Sequence, residues 1–229
     1  TLLLRRETPV LGGYNREDYR AYRDWAPAAD GTLIPISVIH RADLDMSKPH
    51  PVIQYGYGSY ESSMDPMFSI PMLSILDRGV IYVIAHIRGG GEMGRSWYQN
   101  GKKLAKKNTF TDFVDVTSYI AAKPWADEAR IGCYGGSAGG LLMGAVVNLA
   151  PEKYAACLAA VPFVDALTTI LDPELPLSAM EWEEWGNPIE DPEVYAYMKS
   201  YTPYENIRPV RYPAIAAVTS LHDTRVLYV

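Results

Sequence analysis

One short stretch near the middle of the 229-residue chain constrains its fold more than any other. Arg130 to Tyr134 (RIGCY) reads as a strand, and Ala138 to Leu149 reads as a helix of small and apolar residues. Between them lies Gly135-Gly-Ser-Ala-Gly-Gly140, which contains G-x-S-x-G around Ser137. The bare pattern recurs by chance. A strand running straight in and a helix running straight out give it meaning, because the turn must lift the serine hydroxyl clear of a sheet. Side chains at the flanking positions would clash, so glycine stands there. The helix N-terminus turns its free amides toward the hydroxyl and favours an anion forming beside it. Ser137 is thereby a candidate nucleophile; the plainer alternative is a structural serine in a glycine-rich helix cap.

The rest of the chain places that turn in a layered architecture. Tyr19 to Trp25 and Leu33 to Ile39 read as a hairpin around Asp30-Gly31, with Pro35 placing the return strand at a sheet edge. Pro49 and Pro51 bound a loop, and Val52 to Tyr57 is a short strand. Pro71 to Asp77 has helical spacing and stops at Gly79. Val80 to Ala85 is a continuous, mostly β-branched run, the mark of a strand buried on both faces. Thr111 to Ala122 is predicted helical, and Ala155 to Val161 and Pro213 to Thr219 are predicted strands. Strands alternating with helices imply an α/β fold: a mostly parallel sheet with helices on both faces, and antiparallel strands added by the hairpin.

Charge and cysteine content narrow the function. The net charge is −6, with no basic stripe, which argues against nucleic acid as a partner. No apolar run approaches the roughly 20 residues that span a bilayer, so no membrane partner is expected. Cys133 and Cys157 lie in apolar runs and read as reduced core residues, which suits a cytoplasmic protein. Lys102, Lys103, Lys106 and Lys107 read as a solvated basic surface. Arg88 to Glu92 (RGGGE) lacks the spacing of a phosphate loop and is expected to shape the floor of the site.

A serine hydroxyl needs a base, and the base an orienting carboxylate. In α/β hydrolases the chain order is Ser, then Asp or Glu, then His. Asp223 follows the predicted strand Pro213 to Thr219, at a strand's C-terminal end, and is the candidate acid. None of the four histidines follows it. His40 ends the hairpin, His50 lies among prolines, His86 ends the buried strand as a satisfied core residue, and His222 abuts Asp223. The chain also opens without Met and its last residues stop in mid-pattern. The expectation is a fragment cut before a last strand and a histidine loop, the base lying beyond Val229; the alternative is a protein that is not a triad hydrolase.

Seven motifs spread along the chain resemble the catalytic domain of the prolyl oligopeptidase family, oligopeptidase B branch. They are Tyr55-Gly-Tyr-Gly-Ser-Tyr60, Arg88-Gly-Gly-Gly-Glu92, Lys107-Asn-Thr-Phe-Thr-Asp112, Gly135 to Gly140, Val161-Pro-Phe-Val-Asp165, Glu181-Trp-Glu-Glu-Trp-Gly-Asn-Pro188 and His222-Asp-Thr-Arg-Val226. The resemblance implies an α/β-hydrolase domain over residues 19–229, preceded by a linker (1–18) from an N-terminal β-propeller, with the propeller and a C-terminal segment of the same protein as its partners. It implies acyl transfer from Ser137 with no cofactor and no metal. The oxyanion hole would be the Ala138 amide, also expected on stereochemical grounds, and the Tyr57 phenol.

The same resemblance assigns Glu181 and Glu183 to basic side chains of a substrate, Glu181 to the residue before the scissile bond and Glu183 to the one preceding it. Carboxylates walled by tryptophan suit a bidentate arginine. Asp65 matches a further acid of that branch, Met67 departs where a second is expected, Arg225 matches a backbone-gripping arginine, and Tyr60 is included among the substrate contacts. The expected function is a serine oligopeptidase cutting short peptides after Arg or Lys. The alternatives are a dipeptidyl or acylaminoacyl peptidase or an esterase on the same fold, for which the pocket should be apolar, and a fragment that is inactive or only binds peptide.

Overall fold

The strand predicted from the run at Val80 to Ala85 is buried along its whole length as β4 (Ile81–Ala85). In the computed structural model, which describes residues 3–7 and 9–227, it is the third strand of a seven-stranded sheet. The others are β1 (Tyr19–Pro27), β2 (Leu33–Arg41), β3 (His50–Tyr55), β5 (Ala126–Gly136), β6 (Ala156–Ala160) and β7 (Ala214–Val218). Their order is β1-β2-β4-β3-β5-β6-β7. The two hairpin strands pair antiparallel, and all pairings from β4 to β7 are parallel. Of the expected linker 1–18, Thr1, Leu2 and Thr8 lie outside the described residues, as do Tyr228 and Val229.

The helices are α1 (Ile70–Leu76), α2 (Arg95–Gln99), α3 (Lys107–Ala121), α4 (Ala138–Leu149), α5 (Ala166–Leu171), α6 (Trp182–Trp185) and α7 (Pro192–Lys199). Strand alternation sorts β4 between two cores. Ile81, Val83 and Ala85 join Phe110, Phe113 and Ile120 of α3 and Leu141, Leu142 and Val146 of α4; Tyr82 and Ile84 pack with Leu76 of α1 on the other face. Burial of each large apolar side chain contributes about 1.5–3 kcal/mol. Gln54 of β3, fully buried, donates to the Phe113 carbonyl (2.9 Å) and accepts from Thr117 Oγ1 (2.8 Å), fixing α3 over the sheet.

Several sequence expectations shift. β2 lies inside the sheet, not at its edge, although it contains Pro35. The Pro35 carbonyl accepts the His86 amide (3.0 Å) one step beyond the last registered pair, Ile36 with Ala85. Proline cannot return the bond, and the Trp97 indole serves the His86 carbonyl instead (3.1 Å). β3 starts at His50, within the predicted loop, and ends at Tyr55, so Tyr57 stands two residues past the strand. α3 starts at Lys107, one turn earlier than predicted, and β5 starts at Ala126.

α4 seats so close to the loop after β6 that a Cβ on Gly140 would overlap Pro162, lying 2.6 Å from its Cβ. Gly140→Ala is expected to lower unfolding stability by about 1–3 kcal/mol. Gly136→Ala, whose nearest neighbour would be the Ala160 carbonyl oxygen at 3.4 Å, is expected to change it by less than about 1 kcal/mol. Urea midpoints of the two variants check the difference.

Candidate functional site

Parallel strands deliver their loops to one edge of a sheet, and the C-terminal ends of β3, β5, β6 and β7 all open on the same edge. Ser137 follows β5, Phe163 follows β6, Tyr57 follows β3, and Asp223 follows β7. Ser137 adopts φ 58°, ψ −118°, a left-handed conformation that a side-chain-bearing residue takes only under constraint. Its amide donates to the Ala160 carbonyl (2.9 Å), and its carbonyl accepts the amides of Gly140 (2.8 Å) and Phe163 (3.2 Å). A Cβ on Gly135 would overlap the Gly139 carbonyl, and one on Gly139 would lie 2.9 Å from the Gly56 oxygen. The motif glycines are therefore required by backbone approach.

Ser137 and Ala138 line a cavity of about 320 Å³. Tyr57, Tyr60, Glu181 and Arg225, all singled out from the sequence, line it too. Phe163, Ile170, Leu177 and Met180 supply apolar wall that sequence reasoning missed. The Ala138 amide belongs to the first turn of α4, where no intrahelical acceptor reaches. Burial pushes the Tyr57 phenol up from its ordinary pKa, so it remains a proton donor through the neutral range.

Glu181 is the polar end of the wall. Its Oε2 accepts from the Tyr60 hydroxyl (3.0 Å) and from the Trp185 indole (2.8 Å), two neutral donors that leave its charge unbalanced. Burial, followed by the Glu181 charge, drives the Tyr60 pKa far upward, keeping that hydroxyl a donor. Tyr60 stands edge-on to Trp185, with ring centroids 5.8 Å apart.

Other expected residues fall elsewhere. The Glu183 side chain is 87% exposed and pairs with Lys103 (3.1 Å), outside the cavity, because successive residues of α6 point to different sides. Asp65 is exposed and lines a separate cavity with Tyr55 and Met67. Asp223, the expected triad acid, does not line the cavity, although Arg225 and Val226 beside it do. Its Oδ1 accepts the amides of both residues (2.9 Å each), which hold its carboxyl below the usual aspartate value.

The loop Arg88 to Glu92 does not line the cavity; it underlies the segment that does. Arg88 binds Asp112 of α3 through its amide (3.0 Å) and Nε (2.9 Å), and Asp30 through Nη1 (2.6 Å). The Gly89 carbonyl accepts the Glu61 amide (3.1 Å). The expected lysine surface is also corrected, since Lys106 is 1% exposed. It caps the early start of α3, which turns it inward beneath Phe110. Local sequence does not separate it from its solvated neighbours, and Glu184, buried beside exposed Glu183, was missed for the same reason.

His40 Nδ1 bonds the Arg41 carbonyl, His50 Nε2 the Asp45 carbonyl, and His86 sits between Ser37 and Glu92. Among the described residues no histidine lines the Ser137 cavity. Among them, too, no group of three or more His, Cys, Asp or Glu side chains is arranged to hold a metal ion, and no helix is long and apolar enough to cross a membrane.

The chain matches the prolyl oligopeptidase family over residues 66–229. It is 53% identical over 224 residues to dipeptidyl aminopeptidase BI of Pseudoxanthomonas mexicana, covering 97% of this chain and 31% of that protein. It is 43% identical over 220 residues to protease 2 of Moraxella lacunata, covering 96% and 32%. Oligopeptidase B from Leishmania major superposes with a TM-score of 0.91 at 51% identity, over 95% of this chain and 30% of that one. Oligopeptidase B from Trypanosoma brucei, a closed form with covalently bound antipain, gives 0.92 at 47% identity, over 95% and 31%. The chain thus spans about a third of the length of the relatives it matches. It belongs to the prolyl oligopeptidase family and carries part of that family's α/β-hydrolase catalytic domain.

Proposed function

We propose that this chain is the nucleophile-bearing part of a serine oligopeptidase that hydrolyses short peptides after Arg or Lys. The observation that carries the specificity is Glu181: a carboxylate in the wall of the Ser137 cavity, held by neutral donors only. A substrate guanidinium entering there meets an oriented charge beside aromatic surface. Ser137 Oγ attacks the scissile carbonyl carbon while its proton passes to a histidine outside these 229 residues. Asp223 holds and orients that imidazolium. The developing oxyanion takes hydrogen bonds from the Ala138 amide and the Tyr57 phenol, each worth about 3 kcal/mol of barrier. Collapse expels the amine, which takes the proton from the imidazolium, and water then hydrolyses the acyl-serine by the same route.

Arg225 grips the substrate backbone. Glu183 takes the basic side chain of the preceding substrate residue, and Asp65 acts as a further acid, once substrate and a covering propeller enclose the site. The free, buried thiols of Cys133 and Cys157 support a cytoplasmic setting. The relative named dipeptidyl aminopeptidase favours a second reading, removal of dipeptides from a free amino end. Paired Arg-amide substrates with free and blocked amino ends separate the two readings, since an oligopeptidase cleaves both and a dipeptidyl peptidase only the free one.

In the full-length enzyme, Glu181→Gln is expected to lower kcat/KM for Arg-amide substrates by about 30-fold or more. The same change should leave neutral substrates within about threefold; equal losses would exclude the pairing. The 229 residues alone are expected to react slowly with a fluorophosphonate at Ser137. Rapid labelling with no other chain present would show that the external base is not needed.

A further inference from the structure

Tyr57 and Tyr60 belong to a segment with an unfavourable backbone. Gly58 has φ 72°, and Tyr60 and Glu61 have φ 58° and 57°. Side-chain-bearing residues in that region each cost roughly 1–2 kcal/mol. Such a segment keeps one shape only if its surroundings over-determine it. Two buried charges, neither with an obvious partner in sequence, do this. The Lys106 ammonium donates to the Gly58 carbonyl (2.6 Å) and to Ser59 Oγ (2.7 Å), and stands 5.1 Å from the centroid of the Trp185 ring. Glu184, 3% exposed, accepts the Tyr60 amide at Oε1 (2.9 Å) and the Tyr98 hydroxyl at Oε2 (2.7 Å).

We propose that Lys106 and Glu184 are positioning residues for the Ser137 site, clamping the backbone from Gly58 to Tyr60 so that the Tyr57 phenol faces the oxyanion and the Tyr60 ring faces Glu181. This rests on the oxyanion role given to Tyr57 above. The two ends of the clamp also meet at the specificity wall: Trp185, under the ammonium, donates to the same Glu181 oxygen as Tyr60. A buried ammonium is an expensive way to satisfy one carbonyl and one hydroxyl, because desolvation pulls its pKa down to about 8. A merely structural role would be met by an apolar side chain filling the same volume. What an apolar side chain cannot do is direct two hydrogen bonds at the residues next to Tyr57.

The test is a double-mutant cycle in the full-length enzyme, with rates divided by the amount of Ser137 titrated by fluorophosphonate. Tyr57→Phe is expected to lower kcat about 100-fold. Lys106→Met is expected to lower it about tenfold, with KM for an Arg-amide substrate within about threefold. A peptide aldehyde, which forms a tetrahedral adduct on serine, should bind Lys106→Met more weakly in proportion to kcat. In the Tyr57→Phe background, Lys106→Met should lower kcat by less than about twofold further, because the phenol it positions is gone. Ser59→Ala and Glu184→Gln are smaller perturbations of the same clamp. They run through the same cycle and decide the matter if the Lys106→Met protein yields no titratable serine. Losses that multiply with that of Tyr57→Phe, or that vanish once rates are normalised to titrated serine, overturn the positioning role alone. A Tyr57→Phe enzyme with full kcat overturns the oxyanion role itself.

Discussion

At Ser137 three pieces of backbone meet at less than side-chain distance. Gly135 leaves β5 against the carbonyl of Gly139, Gly139 enters α4 against the oxygen of Gly56, and Gly140 lies on Pro162. Strand, helix and the loops after β3 and β6 are thereby locked around one residue in a left-handed conformation. The strain of that conformation is of order 1–3 kcal/mol, and hydrogen bonds at the Ser137 amide and carbonyl, from Gly140, Leu141 and Phe163 and to Ala160, offset it. The consequence is functional. The side chain stands off the sheet, the first amides of α4 converge beside it, and the loop carrying Tyr57 is brought alongside because Gly56 touches Gly139.

Tyr57 itself is placed by a different kind of interaction. The segment from Gly58 to Glu61 has no ladder to hold it, since β3 ends at Tyr55. It is held from below by the loop after β4, where Gly89 approaches Gly58 and Arg88 is fixed by Asp112 and Asp30. From the helix side it is held by Lys106 and Glu184. Arg88, Asp112, Lys106 and Glu184 are buried, with polar atoms directed at partners. For the Arg88–Asp112 ion pair, removing one member would leave an uncompensated charge in the interior, a loss of about 3–5 kcal/mol. Apolar packing of β4 against α3 and α4 makes the fold; buried charge shapes the loop beside the nucleophile.

That division explains what was legible in the sequence. The parallel strands and α4 announce themselves through apolar runs bounded by glycine, because burial on two faces permits little else. The nucleophile turn is legible because the glycines that permit it are obligatory. Pro35 misled because its missing donor is replaced by Trp97, sixty-two residues away in sequence, a compensation no local rule contains. Lys106 and Glu184 were invisible for a related reason. Each is one charged residue among similar neighbours, and only the register of α3 and α6 decides which of them turns inward. Glu181 was found and Glu183 displaced for a related reason: Glu181 stands just ahead of α6 and lines the cavity, whereas Glu183 lies inside α6 and its side chain turns out to Lys103.

The arrangement keeps binding and chemistry on separate supports. Glu181 is anchored on the α6 side by Trp185 and bonded to Tyr60 of the loop after β3, whereas Ser137 and the Ala138 amide are anchored in β5 and α4. The Gly58–Tyr60 segment joins the two supports, and so does Phe163 of the loop after β6, whose amide binds the Ser137 carbonyl and whose ring packs against Trp185. The segment's orientation sets the distance between the carboxylate that would hold a basic side chain and the hydroxyl that would attack the next carbonyl. A change of loop shape there would reach the rate through Tyr57 and the affinity through Tyr60; loss of the Lys106 bonds, which fall on Gly58 and Ser59, acts on the Tyr57 side, while Tyr60 keeps its bond to Glu184. Under the proposed function, rigid clamping of this segment by buried charge would let one cavity discriminate by charge without loosening the geometry around the serine.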